Sequence, residues 1–211
     1  VPADIKFCGL TRPEDAAMAA QLGARYAGVI FAGGPRQRPP AHARLVLDAA
    51  PGLQRVGVVA EHSVADLQAL VDTVRLDVLQ LHGAPTAARV DAVRDATGCV
   101  VWAVLRLGMA AISPADEALA STADVLLVEP TVMGQLGGTG QTFDWAAAAA
   151  DLARLRRPGR LALAGGLTPI NVKQALDILT PDVVDVSSGI ERGPGVKDHL
   201  LMQAFAEAVA G

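Results

Sequence analysis

Residues 161–189 read LALAGGLTPINVKQALDILTPDVVDVSSG, and the order of residue types within them decides the fold. A short apolar run at 161–164 meets a Gly-Gly turn, a helical pattern follows at 171–179, and a second apolar run at 183–186 meets Ser187, Ser188 and Gly189. Both runs are too apolar for a sheet with one face in water and suit parallel strands covered by helices. The rest of the chain repeats this strand–turn–helix unit. Apolar runs occur at 5–8, 26–31, 55–59, 78–81, 100–105 and 125–129, with helical stretches at 13–22, 41–49, 64–74, 85–96, 114–121, 145–155 and 198–209. Eight units in 211 residues predict an α/β protein, a single-domain (β/α)8 TIM barrel spanning 1–211. An open doubly wound sheet is the competing architecture, because periodicity does not report closure.

The loops carry the polar chemistry. CGLT, AGGPRQRPP, EPTVMGQLGGTG, AGGLTP and SSGIERGPG follow strands 1, 2, 6, 7 and 8. In a barrel these loops emerge on one face, where active sites are built. A net charge of −4 without a basic block argues against nucleic acid as a partner. Two cysteines, Cys8 and Cys99, are too few for a disulfide framework. No apolar run is long enough to span a bilayer, and no basic leader precedes the first strand, so the expectation is a cytoplasmic protein without a membrane partner. His42, His62 and His199 do not form ligand spacings with one another, which disfavours a metal site. The sequence leaves monomer and homodimer equally open.

Phosphate is the first ligand suggested. Gly165 and Gly166 follow strand 7 with Asn171 opening the next helix, and Ser187, Ser188 and Gly189 follow strand 8. Glycines let backbone N–H groups approach an anion, helix N-termini add partial positive charge, and barrel phosphate sites lie after these two strands. The alternative is that these residues only make turns. The GGTG at 137–140 is not a Walker motif and reads as a third anion contact or a lid hinge. Cys8 tops strand 1 and shares its face with Lys6; it is either inert packing or a thiol able to take a proton from carbon. Lys6 and Asp185 fall on adjacent strands after closure and are expected to form a buried ion pair. Glu129 ends strand 6 as either a general acid near a ligand or a rim carboxylate bonded to its loop. Arg36, with Arg38 as competitor, can hold a planar carboxylate through its fork. His82 is either a substrate contact or a rim histidine, and Cys99, at the far rim, is expected to be packing.

Six segments in order carry a resemblance: KFCGLTRPEDA at 6–16, GVIFAGGPR at 28–36, LQLHG at 79–83, GQLGGTGQTFDW at 134–145, LALAGGLTPINV at 161–172 and VDVSSGIERGPGVKD at 184–198. The chain resembles the phosphoribosylanthranilate isomerase family of tryptophan biosynthesis. The resemblance implies an Amadori rearrangement of N-(5-phosphoribosyl)anthranilate to 1-(2-carboxyphenylamino)-1-deoxyribulose 5-phosphate by acid–base catalysis, with no cofactor or metal. It places Cys8 as general base, Arg36 on the anthranilate carboxylate, the loops at 165–166 and 187–189 on the phosphate, and His82 in a signature segment. One position departs: where the family pattern has Asp as general acid, this chain has Glu129 followed by Pro130. The longer stem carries the carboxyl about 1 Å further, a displacement able to cost on the order of 100-fold in rate if nothing compensates. Two alternatives stand beside this reading. One is a related cofactor-free phosphosugar isomerase, which Cys8 in place of a carboxylate disfavours; the other is a barrel that binds a phosphorylated metabolite without turnover.

Overall fold

The computed structural model describes residues 3–108, 111–131, 144–156 and 160–211. Eight parallel strands close on themselves: β1 (Asp4–Phe7), β2 (Tyr26–Ile30), β3 (Gln54–Val59), β4 (Val78–Leu81), β5 (Val100–Leu107), β6 (Val125–Pro130), β7 (Arg160–Leu163) and β8 (Val183–Val186). Closure excludes the doubly wound alternative. The helices between and after them are α1 (Pro13–Gln21), α2 (Pro40–Asp48), α3 (Val64–Val74), α4 (Ala87–Thr97), α5 (Pro114–Thr122), α6 (Trp145–Leu155), α7 (Val172–Leu179) and α8 (His199–Ala210). The GGTG at 137–140 lies outside the described residues. No helix among the described residues is long and apolar enough to cross a membrane.

Local chemistry sets where the elements begin. Ser63 and Ser113 each accept from the backbone N–H three residues on while that residue's carboxylate returns a bond, so capping boxes start α3 and α5. Thr86 caps α4, and the helix therefore begins at Ala87, two residues later than the pattern 85–96 implies. Asn171 is likewise the cap position of α7 and not its first residue. Strand β5 runs to Leu107, two residues past its expected end, which carries Arg106 onto the rim.

Alternation along each strand divides the core in two. Outward side chains such as Phe7, Val29, Leu79, Val101 and Leu163 join the helices in the larger layer. Inward ones, including Tyr26, Val56, Val78, Trp102, Val125, Leu127 and Val183, fill the barrel. Tyr26 and Trp102 pack edge to face with ring centroids 4.9 Å apart. Lys6 enters this interior fully buried, with Nζ 5.7 Å from the centre of the Trp102 ring and 2.9 Å from Asp185 Oδ2. Lys6 and Asp185 are register partners across the β1–β8 seam, so the expected buried ion pair is formed.

A feature not foreseen follows β8. Ser188–Ile190 makes one 3-10 turn and leads into a small antiparallel hairpin, β9 (Glu191–Gly193) and β10 (Val196–Lys197), in which Lys197 sits opposite Glu191. Thr11 donates to the Gly195 carbonyl, Arg12 Nη2 to the Lys197 carbonyl at 3.2 Å, and Lys197 N to Asp15 at 3.3 Å, so the hairpin is fastened to the start of α1.

Candidate active site

The C-terminal mouth of the barrel encloses a cavity of about 360 Å³. Inward parity chooses its walls: Cys8 two residues after Lys6, Gln80 and His82 after Val78, Glu129 after Leu127, and Asp185 and Ser187 after Val183. Two glycines make the arrangement possible. A Cβ at Gly28 would lie 3.2 Å from both Cys8 Sγ and Lys6 Cε, so strand β2 leaves room for the thiol and the ammonium. Gly9 has φ +67°, and a Cβ there would stand 2.7 Å from Arg36 Cδ and 2.9 Å from Ser187 Oγ. The loops after β1, β2 and β8 therefore meet beside the thiol because position 9 has no side chain.

Cys8 is buried at the cavity wall. Burial pushes its thiol above the usual range and the Asp185 carboxylate adds to this, outweighing Lys6 and Lys197, which favour the thiolate. The resting group is thus a thiol, and its anion, once formed, is a strong base. Burial raises the Glu129 carboxyl as well, with Arg106 opposing. Glu129 Oε1 lies 3.0 Å from Arg106 Nε and 3.9 Å from His82 Nε2. Arg106 is itself fixed: Nη1 and Nη2 donate to the carbonyls of Gly83 and His82 at 2.6 and 2.7 Å. Pro130, which follows the acid, is accommodated across the barrel wall, because a Cβ at Gly165 (φ +90°) would fall 2.1 Å from Pro130 Cδ.

The glycine and serine loops after β7 and β8 converge as expected. Gly165, Gly166, Ser187, Ser188 and Gly189 all line the cavity. They are in backbone contact: a Cβ on Gly189 would overlap the Leu167 carbonyl oxygen at 1.9 Å. Asn171 differs from its expected role. Its amide donates to the Gly166 carbonyl at 2.9 Å and its Oδ1 accepts from Thr168 N at 2.8 Å, so it braces the turn and does not line the cavity.

Arg36 reaches the cavity and Arg38 does not; Arg38 Nη1 donates to the carbonyls of Pro35 and Gln37 on the surface. The side edge of the Arg36 fork is taken by Glu191, with Nε–Oε1 at 2.9 Å and Nη2–Oε2 at 2.7 Å. The end edge, Nη1 and Nη2, remains, and Nη1 makes no hydrogen bond among the described residues. Gln80 lines the cavity, and Arg106, Glu191 and Lys197 contact the lining residues Glu129, Arg36 and Ser187; none of the four has a role in the expectations from sequence. Parity with Val78 marks Gln80, and parity with Trp102 and Val104 would have marked Arg106 had β5 been drawn two residues longer. Gln80 Oε1 and Asp185 Oδ1 are buried without a hydrogen-bond partner among the described residues.

The remaining candidates fall elsewhere. His42 contacts the Thr11 carbonyl and His199 pairs with Asp15 at 2.9 Å. Cys99 is buried near the opposite rim with Sγ 3.5 Å from the Leu76 carbonyl, and both cysteines are free. No three His, Cys, Asp or Glu side chains converge as a metal site among the described residues.

A closed (β/α)8 barrel carries a thiol, a carboxyl and a glycine-lined notch at one mouth, the end at which barrel enzymes build their active sites. The family model described as N-(5'phosphoribosyl)anthranilate (PRA) isomerase matches residues 5–208. N-(5'-phosphoribosyl)anthranilate isomerase of Paramagnetospirillum magneticum is 38% identical over 217 residues, covering 100% of this chain and 99% of that one. The crystal structure of the Thermus thermophilus phosphoribosyl anthranilate isomerase superposes with a TM-score of 0.84 at 33% identity, covering 98% of each chain. A phosphoribosyl anthranilate isomerase solved in complex with reduced 1-(o-carboxyphenylamino)-1-deoxyribulose 5-phosphate gives 0.83 at 28% identity, covering 99% of each. The chain belongs to the phosphoribosylanthranilate isomerase family and is an enzyme.

Proposed function

We propose that this enzyme, working in the cytoplasm, converts N-(5'-phosphoribosyl)anthranilate to 1-(2-carboxyphenylamino)-1-deoxyribulose 5-phosphate with Glu129 as acid and Cys8 as base. The observation that carries the assignment is that a buried carboxyl, its ionisation displaced upward by burial, and a buried thiol line one cavity with the two loops after β7 and β8. The phosphate fits the notch of Gly165, Gly166, Ser187, Ser188 and Gly189, where small residues bring backbone N–H groups close to an anion. The anthranilate carboxylate fits the end edge of Arg36. The unpartnered oxygens of Gln80 and Asp185 ask for donors, which ribose hydroxyls supply.

The chemistry then runs in two proton transfers by Glu129 and Cys8, followed by tautomerisation of the product. Glu129 gives its proton to the furanose oxygen as the C1–O bond breaks, and the anilino nitrogen lone pair forms the C1=N bond. The Cys8 thiolate takes the C2 proton, and that electron pair forms C1=C2 while the C=N pair returns to nitrogen. The resulting enol closes to the C2 ketone as its hydroxyl proton is lost and C1 gains one. C1 is reduced and C2 oxidised within one molecule, so no external electron acceptor enters the balance.

The test is turnover of freshly generated phosphoribosylanthranilate, followed by loss of its fluorescence. The proposal expects activity that falls at least about 100-fold in Cys8→Ser, the usual scale for losing a general base. Binding of the reduced product analogue with no turnover by the parent would favour a non-catalytic barrel instead.

A further inference from the structure

We propose that Glu191 is a positioning residue that clamps the side edge of Arg36, and through Lys197 ties that guanidinium to the loop after β8. The inference rests on the assignment of Arg36 to a ligand carboxylate. The trio is well buried, with side-chain exposures of 15% for Arg36, 4% for Glu191 and 0% for Lys197. Lys197 lies beside the anion notch, yet its ammonium has no donor left for a ligand. Its Nζ is 2.8 Å from Glu191 Oε1, 3.1 Å from the Ser187 carbonyl and 3.4 Å from Ser187 Oγ, which accounts for its three N–H groups. Glu191 in turn takes Lys197 and Arg36 Nε on Oε1 and Arg36 Nη2 on Oε2. The β9–β10 hairpin exists in register to place Lys197 opposite Glu191, and α1 holds that hairpin down.

The consequence is a rigid spacer. Ser187 touches the phosphate notch, and Arg36 stands three links away along Ser187, Lys197, Glu191 and Arg36. A ligand with an anion at each end is thereby measured against two points fixed to one another. Charge and position make opposite forecasts for Glu191. Two cations and one anion leave the trio one positive charge. Were neutralisation the whole role, Glu191→Gln would strengthen the pull on a carboxylate; a lost clamp weakens it.

The experiment is calorimetric titration of two ligands, reduced 1-(o-carboxyphenylamino)-1-deoxyribulose 5-phosphate and the counterpart lacking the ring carboxyl. Glu191→Gln is expected to bind the carboxylated ligand about tenfold more weakly, the scale of one well-placed charged hydrogen bond, and the other within about twofold. In turnover the change falls on KM with kcat nearly kept. In an Arg36→Ala background Glu191→Gln should add nothing further for the carboxylated ligand, since the two act as a unit. Tighter or unchanged binding of the carboxylated ligand, or equal losses for both ligands, overturns the proposal. Should the Gln protein not fold, Glu191→Asp decides by the same comparison, because it keeps the charge and withdraws the clamp by one methylene. If Arg36→Ala itself loses both ligands equally, the carboxylate assignment falls, and that outcome is separate from failure of the clamp.

Discussion

Cys8 and Glu129 face one cavity with both ionisations displaced upward by burial, the thiol from the higher ordinary value. As pH rises Glu129 gives up its proton first and Cys8 later. The form that does the chemistry, thiolate with carboxylic acid, is therefore a minority whose population is constant between the two ionisations. For the free enzyme, kcat/KM should climb up to the Glu129 ionisation, run flat, and fall beyond that of Cys8. Glu129→Gln should lower kcat about 100-fold and change the shape: the residual rate climbs through the former plateau and levels off with no falling limb. A variant that keeps the parental profile removes Glu129 from the acid role. The same shift bears on stability. A carboxyl whose folded pKa is raised favours the native state below its unfolded value of about 4.3, and that advantage is lost as pH rises through the folded value. Melting temperatures of parent and Glu129→Gln should therefore diverge from pH 4 to pH 8, with the Gln protein gaining.

Among the elements, the two loops after β7 and β8 touch backbone to backbone. Gly189 presses its backbone onto the Leu167 carbonyl, and added bulk there meets backbone, which has no flexible end to yield. Gly189→Ala should keep the barrel folded by circular dichroism and weaken inorganic phosphate and the reduced product analogue by at least about tenfold, a loss of about 1.4 kcal/mol. Unchanged phosphate affinity would place the anion elsewhere. The strands and helices around these loops were legible from the sequence because apolar runs, prolines and caps are local signals. Closure was legible only as a count of eight units. Cys8, Arg36, Glu129 and the glycine loops were legible as cavity-lining candidates because strand-end parity, or a place in the loop after a strand, puts them at the barrel mouth, while their roles came only from the family resemblance. The turn-bracing bonds of Asn171 were not legible, since an asparagine that braces its own turn and one that meets a ligand look the same in sequence. Glu191 and Lys197 were passed over because their meaning comes from a hairpin register, although a Pro-Gly turn between short extended runs is a readable sign of one. Arg106 lies beyond the apolar run 100–105, so the sequence pattern does not extend β5 to it.

Over the whole molecule, closure is made at the β1–β8 seam, and Lys6 with Asp185 is its buried polar element. Removing one partner leaves a charge inside the barrel. Lys6→Met should thus cost about 3–5 kcal/mol in urea unfolding, whereas Lys6→Met combined with Asp185→Leu should recover most of that loss. A single variant as stable as the parent would mean that solvent reaches the pair.

The seam also has a history during synthesis. Lys6 and Asp185 are 179 positions apart, so β1 waits for its second neighbour until nearly the whole chain has left the ribosome. Joining ends so distant costs roughly 4–5 kcal/mol of chain entropy, which places the closure late. Until then β1 and β8 each show an open edge, the kind of surface on which nascent chains aggregate. An inward-pointing ammonium on one edge and a carboxylate on the other repel a foreign apolar strand and fit only each other. The charge-free double variant should therefore refold in good yield when dilute and precipitate increasingly as protein concentration rises, even where its equilibrium stability matches the parent. In light-scattering traces of refolding, the two proteins should separate before any difference is visible in their melts.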